Sequence, residues 1–378
     1  MTLLVSGDRV SDTLVIDRSL GEGAFAEVHR VRHEYLGWQA MKLFKRVASK
    51  EETVRMLDEA RLLSTLGHPN IVRVFDANTV RTPEGVRGFF TMEYVAGGSL
   101  ERLAAAHKSM VPRDLVAEVV TQIASGLAVA HDQDPPIVHR DVTMANVLVG
   151  YDGTGMRVRV SDFGLAKRAD PFTHLASAQG TYAFMAPEVM RNQGYSCASD
   201  VWSVGVIAYL LLTNRFPFHQ GGEEFSSFSF GRFNRSLLPP SSYNDEVDAE
   251  LDRIVLAMLE LDPQNRPATA QVLGDALRER AEAMAGAGAG DSVGGPAASA
   301  GSAGLSGAAG SAGPAKAAVN RPPTQRARRL AEEALELARS PGELDRAADL
   351  MEEAVNLSPY LRDLHLSKLT LWRRGVMM

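Results

Sequence analysis

Cysteine is almost missing from this sequence. Cys197 stands alone, so no internal disulfide and no cysteine-based metal cluster can form, and we read it as a small, half-buried residue of a reducing compartment. An excess of either charge is missing too. The 40 Lys and Arg residues face 46 Asp and Glu, a net charge of −6, which leaves no electrostatic footprint for DNA or RNA. Nor is there an apolar run of the roughly 20 residues needed to span a bilayer. The most apolar stretch is VWSVGVIAYLLL, Val201 to Leu212, which suits a buried helix better. The opening MTLLVSGDRVSD lacks a basic start followed by an apolar core, so no secretory signal is expected. These absences together imply a soluble, cytoplasmic protein without a membrane span.

What is present is ample core material: 45% of residues are apolar and 23% charged over 378 residues, enough for a large two-part domain with something added. From Thr13 to Phe44 short β-type runs (TLVIDRSL, VHRVRH, WQAMKLF) alternate with turn residues. A helical pattern follows from Lys50 to Leu66, stopped by His68-Pro69, and then the strand-like IVRVFDA and GFFTMEYV. Beyond Gly97-Gly98 the pattern turns to long amphipathic helices, Arg113 to His131 the clearest. A β-rich front and a helical back predict an α+β fold with two unequal lobes. From Ala283 to about Pro323 only Ala, Gly, Ser and Pro dominate. Such a stretch buries too little apolar surface to stay ordered, so a flexible linker is expected; an alanine-rich helix competes, opposed by the interleaved glycines. Helical patterning returns after Thr324 in RRLAEEALELAR and ELDRAADLMEEAVNLSP.

Five short segments carry chemistry. Gly21-Glu22-Gly23-Ala24-Phe25-Ala26-Glu27-Val28 lies between two expected strands, where glycines let backbone N–H groups approach phosphates. Alone it is no more than a glycine hairpin. Ala40-Met41-Lys42 puts a lysine on the next strands, and Glu59 follows on the expected helix, ten residues before Pro69. The third segment is His139-Arg140-Asp141-Val142-Thr143-Met144-Ala145-Asn146, and the fourth is Asp162-Phe163-Gly164, sixteen residues past Asn146. The fifth is Gly180-Thr181 followed by Ala186-Pro187-Glu188, supported by Asp200 in SDVWSVGV and Arg266 in DPQNRP.

In that order, spread between Val10 and Ala276, these segments resemble the eukaryotic-type protein kinases, the bacterial serine/threonine members most of all. The resemblance implies a two-lobed kinase domain over residues 1–280, with an N-lobe over about 10–94 and a C-lobe over 95–280, then the linker (281–323) and a helical segment (324–378). It implies ATP held against Leu20, Gly21, Glu22, Gly23, Ala24, Phe25, Ala26, Val28, Ala40, Glu93 and Val95, with Lys42 on the α- and β-phosphates and paired to Glu59. Asn146 and Asp162 would ligate Mg²⁺ or Mn²⁺, hard cations that want oxygen donors. Asp141 would orient the acceptor hydroxyl and take its proton, while His139 reads as structural. Thr181 would help form a Ser/Thr site, and Glu188 and Arg266 a buried ion pair beneath the peptide-binding segment. Arg140 and Lys167 would converge on a phosphorylated Thr173 or Ser177. The expected partners are protein substrates with Ser or Thr acceptors.

The pattern departs from the family in two places. Ala26 stands where a third glycine is usual, a small change. Thr143 stands where serine/threonine kinases carry a lysine on the γ-phosphate, and Ala145 where tyrosine kinases put a cation. Loss of one charge-assisted hydrogen bond is worth about 1.5–3 kcal/mol, roughly 10- to 100-fold in rate, so we expect a working kinase. A pseudokinase scaffold is the rival reading, separated by a phosphotransfer assay. A small-molecule phosphotransferase of related fold would lack the APE and DPxxRP segments. The C-terminal helices resemble one tetratricopeptide-type repeat, with nine basic and nine acidic residues from Thr324 to Met378. One repeat alone buries little, so either a hairpin packed on itself or on the kinase, or a docking site for a partner protein, is expected, with Leu364, Leu366, Leu369, Leu371 and Trp372 as the apolar docking face.

Overall fold

The computed structural model describes residues 3–23, 26–45, 60, 64–107, 110–153, 155–163, 182–219, 230–290, 325–338, 343–358, 361, 365, 368, 369 and 372, with the backbone alone for 285–290. They form two compact units, Met1–Gly150 with Met156–Asp275, and Tyr151–Gly155 with Ala276–Met378.

The first unit opens on an antiparallel sheet of β1 (Leu14–Glu22), β2 (Ala26–His33), β3 (Gly37–Phe44), β4 (Val74–Thr82) and β5 (Gly85–Glu93), in the order β1-β2-β3-β5-β4. Residues opposite one another in register share a face. Val28, Lys42 and Phe90 therefore lie on one face, and Glu27, Leu43 and Phe89 on the other. The second face is closed by Leu3, Leu4, Leu14 and Ile16, which pack with Val31, Met41, Leu43 and Phe89.

The helical part follows with α1 (Leu100–Ala106) and α2 (Arg113–His131). Along α2 the buried Val116, Val120, Ile123, Leu127 and Ala130 recur at three- and four-residue steps, the stripe the sequence predicts. A two-stranded hairpin, β6 (Val147–Asp152) and β7 (Gly155–Val160), comes next. It explains the sixteen-residue spacing noted above: Asn146 immediately precedes β6 and Asp162 lies two residues past β7. The short α3 (Pro187–Met190) leads to α4 (Cys197–Thr213), which is buried almost throughout and ends at Asn214 in the left-handed region. This is the helix expected for VWSVGVIAYLLL. Helix α5 (Ala249–Met258) crosses α4 at Gly205, where a Cβ would lie 2.7 Å from Met258 Cβ. Helix α6 runs from Ala270 to Gly290. The linker expected from 281 is thus helical to Gly290, because alanine propensity carries AEAMAGAGAG onward for nearly three more turns; residues 291–323 lie outside the described residues. So does most of the helix expected over 50–66, of which Ala60, Ser64 and Thr65 are described and helical.

In the second unit α7 (Gln325–Leu337) packs along α8 (Leu344–Leu357). Ala327, Ala331 and Ala334 share a core with Ala347 and Ala348, small side chains that let the two backbones approach, and with the larger Met351 and Val355. Leu369 and Trp372 are 1% and 3% exposed within that same core. They are core residues of the hairpin rather than an open docking face, because an alanine-lined pair of helices needs large side chains to close it. Leu364, Leu366 and Leu371 lie outside the described residues. Among the described residues no helix is long and apolar enough to cross a membrane.

Candidate active site

The loop from His139 to Asn146 is held by one buried carboxylate. Asp200, 1% exposed on α4, accepts the backbone N–H of His139 at 2.7 Å, that of Arg140 at 2.9 Å and the Nε2–H of His131 at 3.0 Å. Two successive N–H groups turned onto one carboxylate place Arg140 at φ 69°, a conformation rare outside glycine. His139 donates from Nε2 to the Ser161 carbonyl at 2.9 Å and accepts the Asp141 N–H at Nδ1, 3.2 Å away. Its ring lies 4.5 Å from that of Phe163, the two planes tilted by 42°. Burial holds its pKa below the ordinary 6.5, against the pull of Asp200 and Asp141. This histidine is a structural tie between two loops.

At the end of the loop Asn146 Nδ2 donates to the Asp141 carbonyl at 2.8 Å and to its carboxylate Oδ2 at 3.1 Å. Neither bond uses Asn146 Oδ1. The Asn146 carbonyl accepts both the N–H and the hydroxyl of Ser161, at 2.8 and 3.0 Å. This pins the two ends of the β6–β7 hairpin together and puts Asp162 beside Asn146. Asp162, at φ 60°, turns back toward the sheet, where its Oδ1 meets Lys42 Nζ at 2.8 Å. That oxygen is buried and, among the described residues, makes no hydrogen bond; the ammonium is its charge partner.

A carboxylate and a side-chain amide oxygen are the donors a magnesium ion takes from a protein when phosphates and water supply the rest. Among the described residues no three His, Cys, Asp or Glu side chains gather into a closed metal cage, and this mode of binding needs none. Asp162 and Asn146 fit the cation.

Above this pair lies the β1–β2 hairpin. Gly23 N–H bonds to the Ala26 carbonyl at 2.8 Å. Neither Gly21 nor Gly23 needs glycine for its φ, and a Cβ at Gly21 would meet nothing within 4 Å. The missing side chains therefore leave open space at the hairpin, room for a ligand to reach the backbone. Glu22, exposed, is ion-paired with Lys45, which lowers its pKa. Ala40 and Val95 are buried, Leu20 is exposed, and Val28 lies between. The Glu93 side chain is engaged by Arg159 at 3.0 Å. Ala24, Phe25, Glu59, Gly164, Lys167, Thr173, Ser177 and Thr181 lie outside the described residues.

Below the site Glu188 and Arg266 form a buried bidentate pair at 2.7 and 2.8 Å. The guanidinium also donates to the Glu260, Ala198 and Leu261 carbonyls and lies 4.8 Å over Trp202. All five of its N–H groups are therefore used. Thr143, 7% exposed, lines a narrow pocket with Arg140, Asp141, Tyr195 and Asp200. Arg140 lies 5.7 Å from the Tyr195 ring, and among the described residues its buried Nε has no hydrogen-bond partner. Burial and the Asp141 charge push the Tyr195 phenol up to about 12, so it stays neutral. Sequence reasoning passed over His131, Ser161, Tyr195 and Arg159. Each is tied to the site through residues distant in sequence, and none sits in a motif.

The profile of the family described as the protein kinase domain matches residues 14–277. The serine/threonine-protein kinase PknB of Mycobacterium tuberculosis is 30% identical over 274 residues, which cover 71% of this chain and 42% of the relative. Pkn1 of Myxococcus xanthus, also named a serine/threonine-protein kinase, is 34% identical over 268 residues, 69% of this chain and 37% of its own. The chain thus spans about two fifths of the length of these curated relatives. Among solved structures, the Mycobacterium tuberculosis PknI kinase domain superposes with a TM-score of 0.54 at 25% identity, over 73% of this chain and 99% of that one.

Proposed function

Because the chain belongs to the protein kinase family, we propose that it transfers the γ-phosphate of ATP to serine and threonine hydroxyls of proteins, its own included. The observation that carries this reading is the 2.8 Å contact between Lys42 on β3 and Asp162 past β7. It brings a phosphate-binding cation and a metal-binding carboxylate into one cleft. Phosphoryl transfer is mostly positioning and charge neutralisation, and the residues divide those tasks. Lys42 holds the α- and β-phosphates, and the open backbone of the Gly21–Gly23 hairpin approaches them from above. Asp162 and Asn146 would hold Mg²⁺ or Mn²⁺, which when bound neutralises the phosphate oxygens. Asp141, its carboxylate fixed by Asn146 at 3.1 Å, orients the acceptor hydroxyl and takes its proton as the new O–P bond forms and the γ-phosphorus bond to the bridging oxygen breaks, releasing ADP. ATP as co-substrate supports a cytoplasmic location for the cleft.

Acceptor choice rests on Ala145, which brings no tyrosine-kinase cation into the loop, and on the relatives' serine/threonine names. Purified chain incubated with γ-labelled ATP and Mg²⁺ or Mn²⁺ should label itself on serine and threonine. Lys42→Ala, Asp141→Ala and Asp162→Ala should each abolish labelling while leaving the unfolding temperature close to that of the parent. Undiminished labelling in Asp162→Ala would remove the metal assignment. In the same assay Thr143→Lys should raise turnover by up to roughly 100-fold, the worth of one charge-assisted hydrogen bond to the γ-phosphate. An unchanged rate would mean that another cation already serves it. No transfer by the parent chain would leave the scaffold reading.

A further inference from the structure

Ahead of β1 the chain makes a strap across the outer face of the sheet. The turn Val5-Ser6-Gly7-Asp8 is closed by Asp8 N–H to the Val5 carbonyl, 3.1 Å, and by Val5 N–H to Asp8 Oδ2, 2.8 Å. Gly7 sits at φ 91°, where a third-position glycine is at home. Gly7 N–H to the Ile16 carbonyl and Ile16 N–H to the Asp8 carbonyl, both 2.9 Å, fasten the turn to β1. The strap thereby delivers Leu3 and Leu4, each 6% exposed, onto the sheet.

There the Leu3 N–H donates to both carboxylate oxygens of Glu27, at 3.0 and 3.2 Å, and His29 Nε2 lies 3.0 Å from Glu27 Oε2. Glu27 and His29 are each 1% exposed. A carboxylate so buried persists only where donors replace water, and one of these donors is main chain from the strap. Glu27 is the second residue of β2, between Ala26 and Val28, and stands opposite Glu22 in register. Glu22 in turn is tied to Lys45. Both strands of the glycine hairpin are therefore held from behind, Glu22 by an exposed ion pair and Glu27 by buried polar contacts that include the strap.

We propose that Glu27 is a positioning residue for nucleotide binding, and that the strap Leu3–Asp8 acts through it to fix the start of β2. Held in this way, the hairpin meets the phosphates already ordered, and the ordering does not have to be taken from binding energy. Without the strap's N–H the carboxylate must recruit water, and the strand that carries it lifts. This inference rests on reading the inner side of the hairpin as phosphate-facing.

The test uses the full chain. Leu3→Pro removes the strap's N–H donor together with the buried leucine side chain, a packing loss that Leu3→Ala reproduces with the N–H kept, while Glu27→Gln keeps the side chain's shape and removes its charge. MgATP affinity is measured by calorimetry beside the unfolding temperature, KM for ATP and kcat at saturating ATP. Each single variant should bind MgATP about threefold or more weakly, with a matching rise in KM and with kcat little changed. The double variant should bind no more weakly than the worse single, because both changes act on one contact. Unchanged affinity in both singles, or losses that multiply in the double, would overturn the proposal, and so would a lowered unfolding temperature with affinity intact. Calorimetry keeps this separate from catalysis: a parent that binds MgATP but transfers nothing refutes the kinase reading alone. A parent that binds no MgATP refutes both.

Discussion

At the scale of single residues, His139 shows how a neutral side chain is locked in place. Its Nε2–H is given to the Ser161 carbonyl and its Nδ1 receives the Asp141 N–H, so a second proton would have to expel a donor from Nδ1. Burial lowers its pKa from 6.5 more than Asp200, Asp141 and the Ser161 carbonyl raise it. Below pH 6.5 the unfolded chain therefore binds a proton that the folded chain refuses. The stability this residue confers is complete above pH 6.5 and is lost as pH falls below it. His68, depressed by burial and Arg157, and His365, depressed by burial and Lys368, act in the same direction. Urea midpoints measured from pH 8 to pH 5 should be level at the alkaline end and decline below about 6.5. The decline should be shallower in His139→Gln; an equal slope would show that this ring is not the group resisting the proton. The residues around it divide sharply by how far they could be read in advance. Lys42, Asp141, Asn146 and Asp162 stand in short motifs whose spacing is visible in the chain. His131 stands in none, and Glu27 lies inside the glycine segment without its part being visible there, since what matters about each is a partner far off in sequence, Asp200 for one and Leu3 for the other.

At the scale of elements, the position of α2 is dictated by a glycine. A Cβ on Gly126 would lie 2.6 Å from the Asn70 carbonyl oxygen and 3.2 Å from its carbon, atoms that cannot swing aside. Asn70 is fixed from several directions: its Nδ2 donates to the Val158 carbonyl at 2.7 Å and to Gln122 at 2.8 Å, and its carbonyl accepts the Val160 N–H at 2.9 Å. It joins α2, β7 and the segment before β4 next to the hairpin that carries Asp162. Gly126→Ala should therefore destabilise the fold by about 1–3 kcal/mol, the range for an overpacked core, despite alanine's better helix propensity. A denaturant series comparing it with Gly274→Ala, where a Cβ would make only ordinary contact at 3.9 Å, isolates the clash. Stability in Gly126→Ala equal to the parent would show that the approach relaxes freely. The bounds of α2 were legible from apolar periodicity, and the five strands from alternation between turn residues. The run of α6 on to Gly290 was not, because glycine and alanine pull in opposite directions there and composition does not say which prevails. The burial of Leu369 and Trp372 escaped notice for a related reason. A terminal apolar cluster reads the same whether it faces a partner or the chain's own hairpin.

At the scale of the whole molecule, the division into two units separates chemistry from the rest. Lys42, Asp141, Asn146, Asp162, Glu188, Asp200 and Arg266 all belong to the first unit, which ends at Asp275, and the kinase profile ends at residue 277. The second unit has a core built largely of alanine, with Met351, Leu369 and Trp372 as its larger members. None of the side chains assigned to phosphate, metal or hydroxyl comes from it. Its surface is charge-balanced, and nothing in its composition calls for a nucleotide. Catalysis should accordingly survive its removal. A chain shortened to Met1–Gly290 keeps α6 whole and is expected to retain kcat/KM for ATP to within about twofold, with a single cooperative unfolding transition. Rate measurements on both lengths, with the same acceptor protein, decide the matter. If kcat/KM for ATP falls by an order of magnitude while the shortened chain still unfolds cooperatively, the helices beyond Gly290 contribute to the catalytic unit. If KM for the acceptor protein alone rises, those helices serve to recruit substrate.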